Sequence, residues 1–338
     1  MIVRREPSRE PARWRRPGRR PLFVAFVALT AWRPPAGAQE LEPRAYAANP
    51  IGVRFAALSF GYSTGDVVFE PTSPITDVAA KVYLAALGLG GTFAMFGRTA
   101  SLAAIVPYGW ADVSGNVFEE ARSVERSGLA DTRLRFGVNL LGGQALTLPQ
   151  FARRAPSTVI GTSLTISTPT GQYYADKLVN VGTHRWAFKP EIGISHPTGP
   201  WTLELSVGSW FFTRNGSYYP GSQTKDQDPM VSLQSHVGYT IRPRLWVAAD
   251  LTYYAGGRAV IDDVPAAERQ ENARVGLTVS LPVRRAHSVK VAWSKGAVTR
   301  LGGNFDTWLV VWQTTMFSQA SQPAAPRAQK SIRVTSRN

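Results

Sequence analysis

The feature that most limits what this chain can fold into is a two-residue alternation of apolar and polar side chains, recurring from residue 52 to residue 317. It is sharpest over residues 185–195. One parity holds Trp186, Phe188, Pro190, Ile192 and Ile194; the other holds Arg185, Ala187, Lys189, Glu191, Gly193 and Ser195. An extended strand sends these sets to opposite faces, whereas a helix would mix them. Residues 129–140 divide the same way, with Asp131, Arg133, Arg135, Gly137 and Asn139 against Leu134, Phe136, Val138 and Leu140. Over 201–213, Glu204 and Ser206 oppose Leu203, Leu205 and Val207; over 231–241, Gln234 and His236 oppose Leu233 and Val237. Asp250 opposes Val247 and Leu251, Arg274 opposes Val275 and Leu277, and Lys290 opposes the apolar residues around it.

Alternation alone does not say which face is outside. Three further signs do. The polar face consists of Gly, Ser, Thr and charged residues, a poor soluble core, and each Arg or Lys turned to lipid near the midplane would cost roughly 2–4 kcal/mol. Aromatic residues collect near strand ends, with Tyr62, Tyr108, Trp110 and Trp186 toward one rim and Phe96, Trp201, Tyr239 and Trp246 toward the other. Such girdles mark membrane interfaces. Finally, connections alternate in length. Long loops are expected over 64–76, 114–128, 171–184, 214–228, 256–271 and 296–304, with tight turns over 96–99, 197–200, 242–244 and 283–287. Residues 142–156 break this rule, with a brief helix expected over 146–154. The pattern predicts an all-β fold, a transmembrane antiparallel up-and-down β-barrel of about twelve strands with both termini periplasmic. No apolar run reaches the roughly 18 residues a membrane helix needs, which excludes a helical membrane protein.

The two ends carry most of the charge. Residues 1–38 join an arginine-rich stretch, a short apolar block and the small-residue sequence Ala36-Gly37-Ala38, the composition of a secretory signal peptide. An arginine-rich nucleic-acid arm is the competing reading, and it leaves the apolar block unexplained. Of 38 basic and 23 acidic residues, nine and two lie in that segment, leaving 29 against 21. Four more basic residues follow Phe317, so the body holds 25 against 21. The formal charge of +15 therefore describes the termini, and nucleic-acid binding is not expected. The predicted organisation is a signal peptide over 1–38, a short periplasmic segment over 39–51, a barrel over 52–317 and a disordered basic tail over 318–338. So short a lead before the first strand leaves no room for a plug domain and argues against an energy-coupled receptor.

Several blocks resemble the outer-membrane proteins of the MetA pathway of phenol degradation. The longest is TPTGQYYADKLVNVGTHRWAFKPEIGISHPTG at 168–199; YGWADVSG at 108–115, RSGLADTRLRFGVNLLG at 126–142 and the QDP at 227–229 are also similar. The resemblance runs over about residues 51–312. It implies an outer-membrane barrel linked to uptake of aromatic or other small hydrophobic compounds, with no catalytic residues to carry over. The chain departs from barrel habit by continuing past Phe317 instead of ending on a terminal aromatic.

The candidate site is the set of charges expected to line the lumen: Asp131, Arg133, Arg135, Arg185, Lys189, Glu191, Glu204, His236, Asp250, Arg274 and Lys290. They fit a charged constriction that selects solutes, and equally an internal ion-pair network that holds a narrow barrel in shape. Among the four histidines, His184 and His196 fall in or beside connections, His287 in a turn, and only His236 faces inward. No pair has metal-ligand spacing and the chain has no cysteine, so neither metal nor cofactor is expected. An outer-membrane lipid hydrolase is the reading from another class, but its His-x-Ser-Asn type of motif is absent. A structural or adhesive barrel with binding loops is the third. The glycines of 87–91 lack the spacing of a phosphate loop. Expected partners are small-molecule solutes, outer-membrane lipid, lipopolysaccharide and, during biogenesis, the barrel-assembly machinery.

Overall fold

In the computed structural model of the protein, the described residues are 42–68, 75–117 and 120–317. The expected signal peptide over 1–38 and the expected tail over 318–338 lie outside them. The alternating segments become β1 (Val53–Val68), β2 (Ile75–Met95), β3 (Arg98–Val117), β4 (Glu120–Leu129), β5 (Arg133–Leu141), β6 (Val159–Ser167), β7 (Ala187–Thr198) and β8 (Trp201–Phe212). They continue as β9 (Asn215–Tyr218), β10 (Gln223–Gln227), β11 (Met230–Arg242), β12 (Leu245–Gly256), β13 (Ala259–Ile261), β14 (Val264–Pro265), β15 (Gln270–Pro282), β16 (His287–Thr299) and β17 (Gly302–Phe317). One helix, α1 (Leu148–Arg153), joins them.

The sheet closes because β1 pairs antiparallel with both β2 and β17. β4 and β5 share one place in the wall, pairing with successive parts of β3 at Tyr108↔Leu129 and Ala103↔Arg135. The wall is therefore a closed antiparallel barrel of 12 strands. A second sheet, ordered β14-β13-β10-β9, is built in the long connections. Outer-membrane barrels place short turns in the periplasm and long connections outside, which distinguishes the two ends.

Packing is inside-out relative to a soluble protein. Lys189 is 2% exposed, Glu191 6%, Ser232 and Thr252 0%, while Ile192, Leu251, Leu277 and Trp312 stand about half exposed on the other parity. In water such a surface would forfeit about 25 cal/mol for every Å² of apolar area left uncovered. Lipid removes that penalty, and the closed ladder leaves no edge in the hydrocarbon.

Four expectations need correction. Residues 64–68 and 302–306 pair as strand, as do 114–117 with 120–123, so much of three expected loops, 64–76, 114–128 and 296–304, is strand extension. β2 has 21 residues, and at about 3.3 Å per residue it far exceeds the ~30 Å hydrocarbon layer. Beyond the hydrocarbon neither face must be apolar, so the alternation lapses while the backbone ladder continues. The connections over 214–228 and 256–271 likewise contain β9, β10, β13 and β14. The strand expected over 129–140 is interrupted at 130–132. Trp246, expected in the periplasmic girdle, points inward and is buried. The helix falls where the sequence suggested, with Gln150 Oε1 accepting from Thr147 N at 2.9 Å.

Candidate functional site

Strand register gathers the inward charges. His236 lies opposite Glu204 on β8 and opposite Asp250 on β12, so three ionisable groups from adjacent strands form one belt. His236 Nδ1 stands 2.7 Å from Asp250 Oδ1, and Thr278 Oγ1 donates to Asp250 Oδ2 at 2.7 Å. The His236 ring thus engages a carboxylate rather than a serine hydroxyl. On β7, two residues apart and so on one face, Lys189 Nζ lies 3.1 Å from Glu191 Oε2. Glu191 Oε2 also accepts from Gln234 Nε2 at 3.3 Å, and Arg135 Nη2 approaches Glu191 Oε1 at 3.8 Å. Taking such ions from water costs several kcal/mol each, and around Glu191 these partners offset part of that cost.

The periplasmic side of this belt is filled from an unexpected direction. Residues 42–51, the described part of the segment 39–51 read from sequence as a short periplasmic lead, turn into the lumen. Tyr46 is buried; its hydroxyl donates to Glu191 Oε1 at 2.9 Å and lies 2.9 Å from Ser163 Oγ. Burial, and then the Glu191 carboxylate, push the Tyr46 phenol well above its ordinary pKa, so it remains a donor. The ring occupies a notch left by Gly161 and Gly193, which face each other across β6 and β7. A Cβ at Gly193 would lie 2.3 Å from that ring.

Arg44 completes the seal. Its backbone N–H donates to Glu204 Oε2, its Nη2 donates to Thr240 Oγ1 at 2.6 Å, and its guanidinium lies 4.6 Å from the centre of the Trp246 ring. This explains why Trp246 faces inward. Arg135 sits 5.4 Å over the Tyr46 ring. Beside Tyr46, between Lys189, Glu204 and His236, the remaining cavity is about 10 Å³. That is about the room one water needs. A second cavity, between Tyr46, Asn49 and Arg135, is about 40 Å³. The long periplasmic connection that sequence could not account for flanks this segment, with Ile51 N donating to Leu146 O at 2.9 Å just ahead of α1.

The other candidates divide by height. Asp131, in the gap between β4 and β5, accepts from Gly171 N at 2.9 Å, Thr183 N at 2.9 Å and Thr183 Oγ1 at 2.6 Å. It anchors the connection between β6 and β7 instead of lining a passage. Arg133 is half-buried at the start of β5, and Arg185 is half-buried just before β7. Arg274 forms a separate group, donating to Ser294 Oγ at 3.0 Å and Phe305 O at 2.9 Å. Lys290, on the parity of buried Ser294, is half-buried on the far wall. Sequence reasoning missed Arg44 and Tyr46 altogether. The one trace of them is the glycine pair at 161 and 193, which has meaning only once the strands are in register.

Over residues 78–309 the sequence matches the family described as "Putative MetA-pathway of phenol degradation". No curated protein matches it. Among solved structures, an outer membrane channel from Pseudomonas putida F1 is similar at a TM-score of 0.71 and 19% identity, covering 82% of this chain and 100% of its own. The toluene transporter TbuX of Ralstonia pickettii aligns at a TM-score of 0.41 and 8% identity, covering 80% of this chain and 90% of its own. The fold is that of an outer-membrane β-barrel, and the outer membrane is where the protein resides.

Proposed function

Because the chain belongs to the MetA-pathway-of-phenol-degradation family, we propose that it lets small molecules, aromatic or otherwise hydrophobic, cross the outer membrane by diffusion through the barrel interior. Residues 42–51 act in this reading as a movable constriction. The observation that carries it is the nature of the seal: residues 49–52 are tied to the barrel by hydrogen bonds such as Ile51 N to Leu146 O, whereas the part that enters the lumen is held by hydrogen bonds and ring contacts at Arg44 and Tyr46, with no strand of its own in the wall. Net hydrogen bonds are worth about 0.5–1.5 kcal/mol each, somewhat more to a charged partner, so a solute or a fluctuation can displace it. Outer-membrane lipid and lipopolysaccharide are the surroundings this reading requires, and the barrel-assembly machinery its partner in biogenesis.

Planar-bilayer recording of the purified full-length protein tests the proposal. The wild type should give small or intermittent currents, and Tyr46→Ala should raise single-channel conductance severalfold. Neutralising Arg135 or Lys189 to Gln should then shift the ion selectivity of the opened barrel. Folded wild-type and Tyr46→Ala proteins that both stay silent would reject passage in favour of a structural barrel, for which the network around Glu191 is also suited.

A further inference from the structure

We infer that the outer mouth of the barrel carries a binding site for a small carboxylate anion, built on Lys225 of the β9–β10 hairpin and Arg185 at the end of the β6–β7 connection. This extends the proposed passage by giving its solutes a chemical class, and it rests on that reading, since a site at the mouth serves a molecule that enters there.

The starting observation is a pair of half-buried cations brought to one face of β10, because Gln227, which bonds Arg185, lies two residues from Lys225. Lys225 Nζ stands 4.8 Å from the centre of the Tyr218 ring, and the Arg185 guanidinium lies 4.4 Å from the centre of the Phe212 ring. Gln227 Oε1 accepts from Arg185 Nη2, while Nη1 is buried with no acceptor. Among the described residues Lys225 has no ion pair. The carboxylates that could serve it are engaged elsewhere. Asp226 lies 2.7 Å from Arg214, Asp228 lies 3.2 Å from Arg258, Asp262 accepts from Thr224 N at 2.7 Å, and Asp131 holds Gly171 and Thr183.

Buried cations in proteins nearly always have a carboxylate partner. Here aromatic faces offset part of the lost hydration; Asp131 and Asp226 favour the Arg185 charge, but among the described residues neither forms an ion pair with it, and Lys225 has no ion pair at all. The strain is visible in the lysine: burial, and then the nearby Arg185, lower its pKa to about 8. An incoming carboxylate relieves both effects, because it supplies the missing counter-charge and accepts from the ammonium and the guanidinium fork together. A neutral solute does neither. Asp226 and Asp131 are bonded to other groups, so a ligand carboxylate at Lys225 has no existing ion pair to break.

Calorimetric titration of the full-length protein in detergent, with benzoate as probe and benzyl alcohol as its neutral counterpart, tests the site. Benzoate should bind at least about tenfold more tightly than the alcohol, the scale of a charge-assisted hydrogen bond. Lys225→Met and Arg185→Gln should each remove that preference, Lys225→Arg should restore most of it, and exposed Lys81→Met should leave it unchanged. Circular dichroism melting checks that each variant is folded. Equal binding of acid and alcohol to the wild type, or undiminished benzoate binding to folded Lys225→Met, overturns the inference. Solute flux into proteoliposomes separates this from passage itself. Flux without benzoate binding overturns the site alone. Binding without flux, in wild type and in Tyr46→Ala, supports the site and rejects passage.

Discussion

At position 193 a single methyl group would stand 2.3 Å from the Tyr46 ring, closer than any tolerated contact, so this glycine is kept for the space it leaves. Gly193→Ala should expel Tyr46 and raise conductance as Tyr46→Ala does. The double variant should show little beyond either single change, since both break one interaction; planar-bilayer recording of all three proteins checks this. At the outer mouth, the groups facing Lys225 are Arg185 from the β6–β7 connection and Tyr218 from β9, with Asp226 beside it turned to Arg214. Arg185 is lowered to about 10 by burial, opposed by Asp131 and Asp226, and burial followed by Tyr173 raises the Tyr218 phenol. Lys225, at about 8, is then the one of the three that changes charge near neutrality. It is charged below that value, so benzoate affinity should be full near pH 6.5 and fall as pH rises through 8. Titrations at several pH values would show it, and a flat profile would contradict the assignment.

Among the elements, the interrupted wall between β4 and β5 matters most. Residues 130–132 leave the ladder, and the freed Asp131 carboxylate takes three hydrogen bonds from the β6–β7 connection. Backbone bonds from Gln172 N to Leu129 O and from Thr168 N to Thr132 O, at 2.8 and 2.9 Å, stitch the same connection across the gap. Leaving a buried donor without its acceptor costs about 1–3 kcal/mol. Asp131→Ala should therefore loosen this connection without unfolding the barrel. Trypsin should cut at Lys177 several times faster in that variant while the melting transition stays in place. Sequence suggested Asp131 as a lumen charge because it shares the parity of Arg133 and Arg135. Its bonds to Gly171 and Thr183 could not be read from that parity, because a break in a strand has no alternation to announce it.

For the molecule as a whole, stability depends on which solvent meets which face. Leu251 lies mid-strand on the lipid side, and Leu251→Arg should destabilise the barrel by roughly 2–4 kcal/mol, measured by denaturant titration in vesicles. Thr252, one residue on and fully buried, is on the opposite face, so the two positions report different solvents one residue apart. An Arg at 251 without effect on folding would show that this face does not meet lipid.

The sequence by itself determined the barrel, its antiparallel strands and the separation of the charged termini from a nearly neutral body. Each follows from a period-two pattern that lipid enforces on every crossing segment. It did not determine the tall outer extensions of β1–β4 and β17, because beyond the hydrocarbon nothing requires alternation. Nor did it show the notch at Gly161 and Gly193, the pairing of His236 with Asp250, or the entry of Arg44 and Tyr46 into the lumen. Those depend on register and on contacts between residues more than a hundred positions apart, such as Tyr46 with Glu191 and Arg44 with Glu204. Proximity of that kind exists only after the sheet has closed.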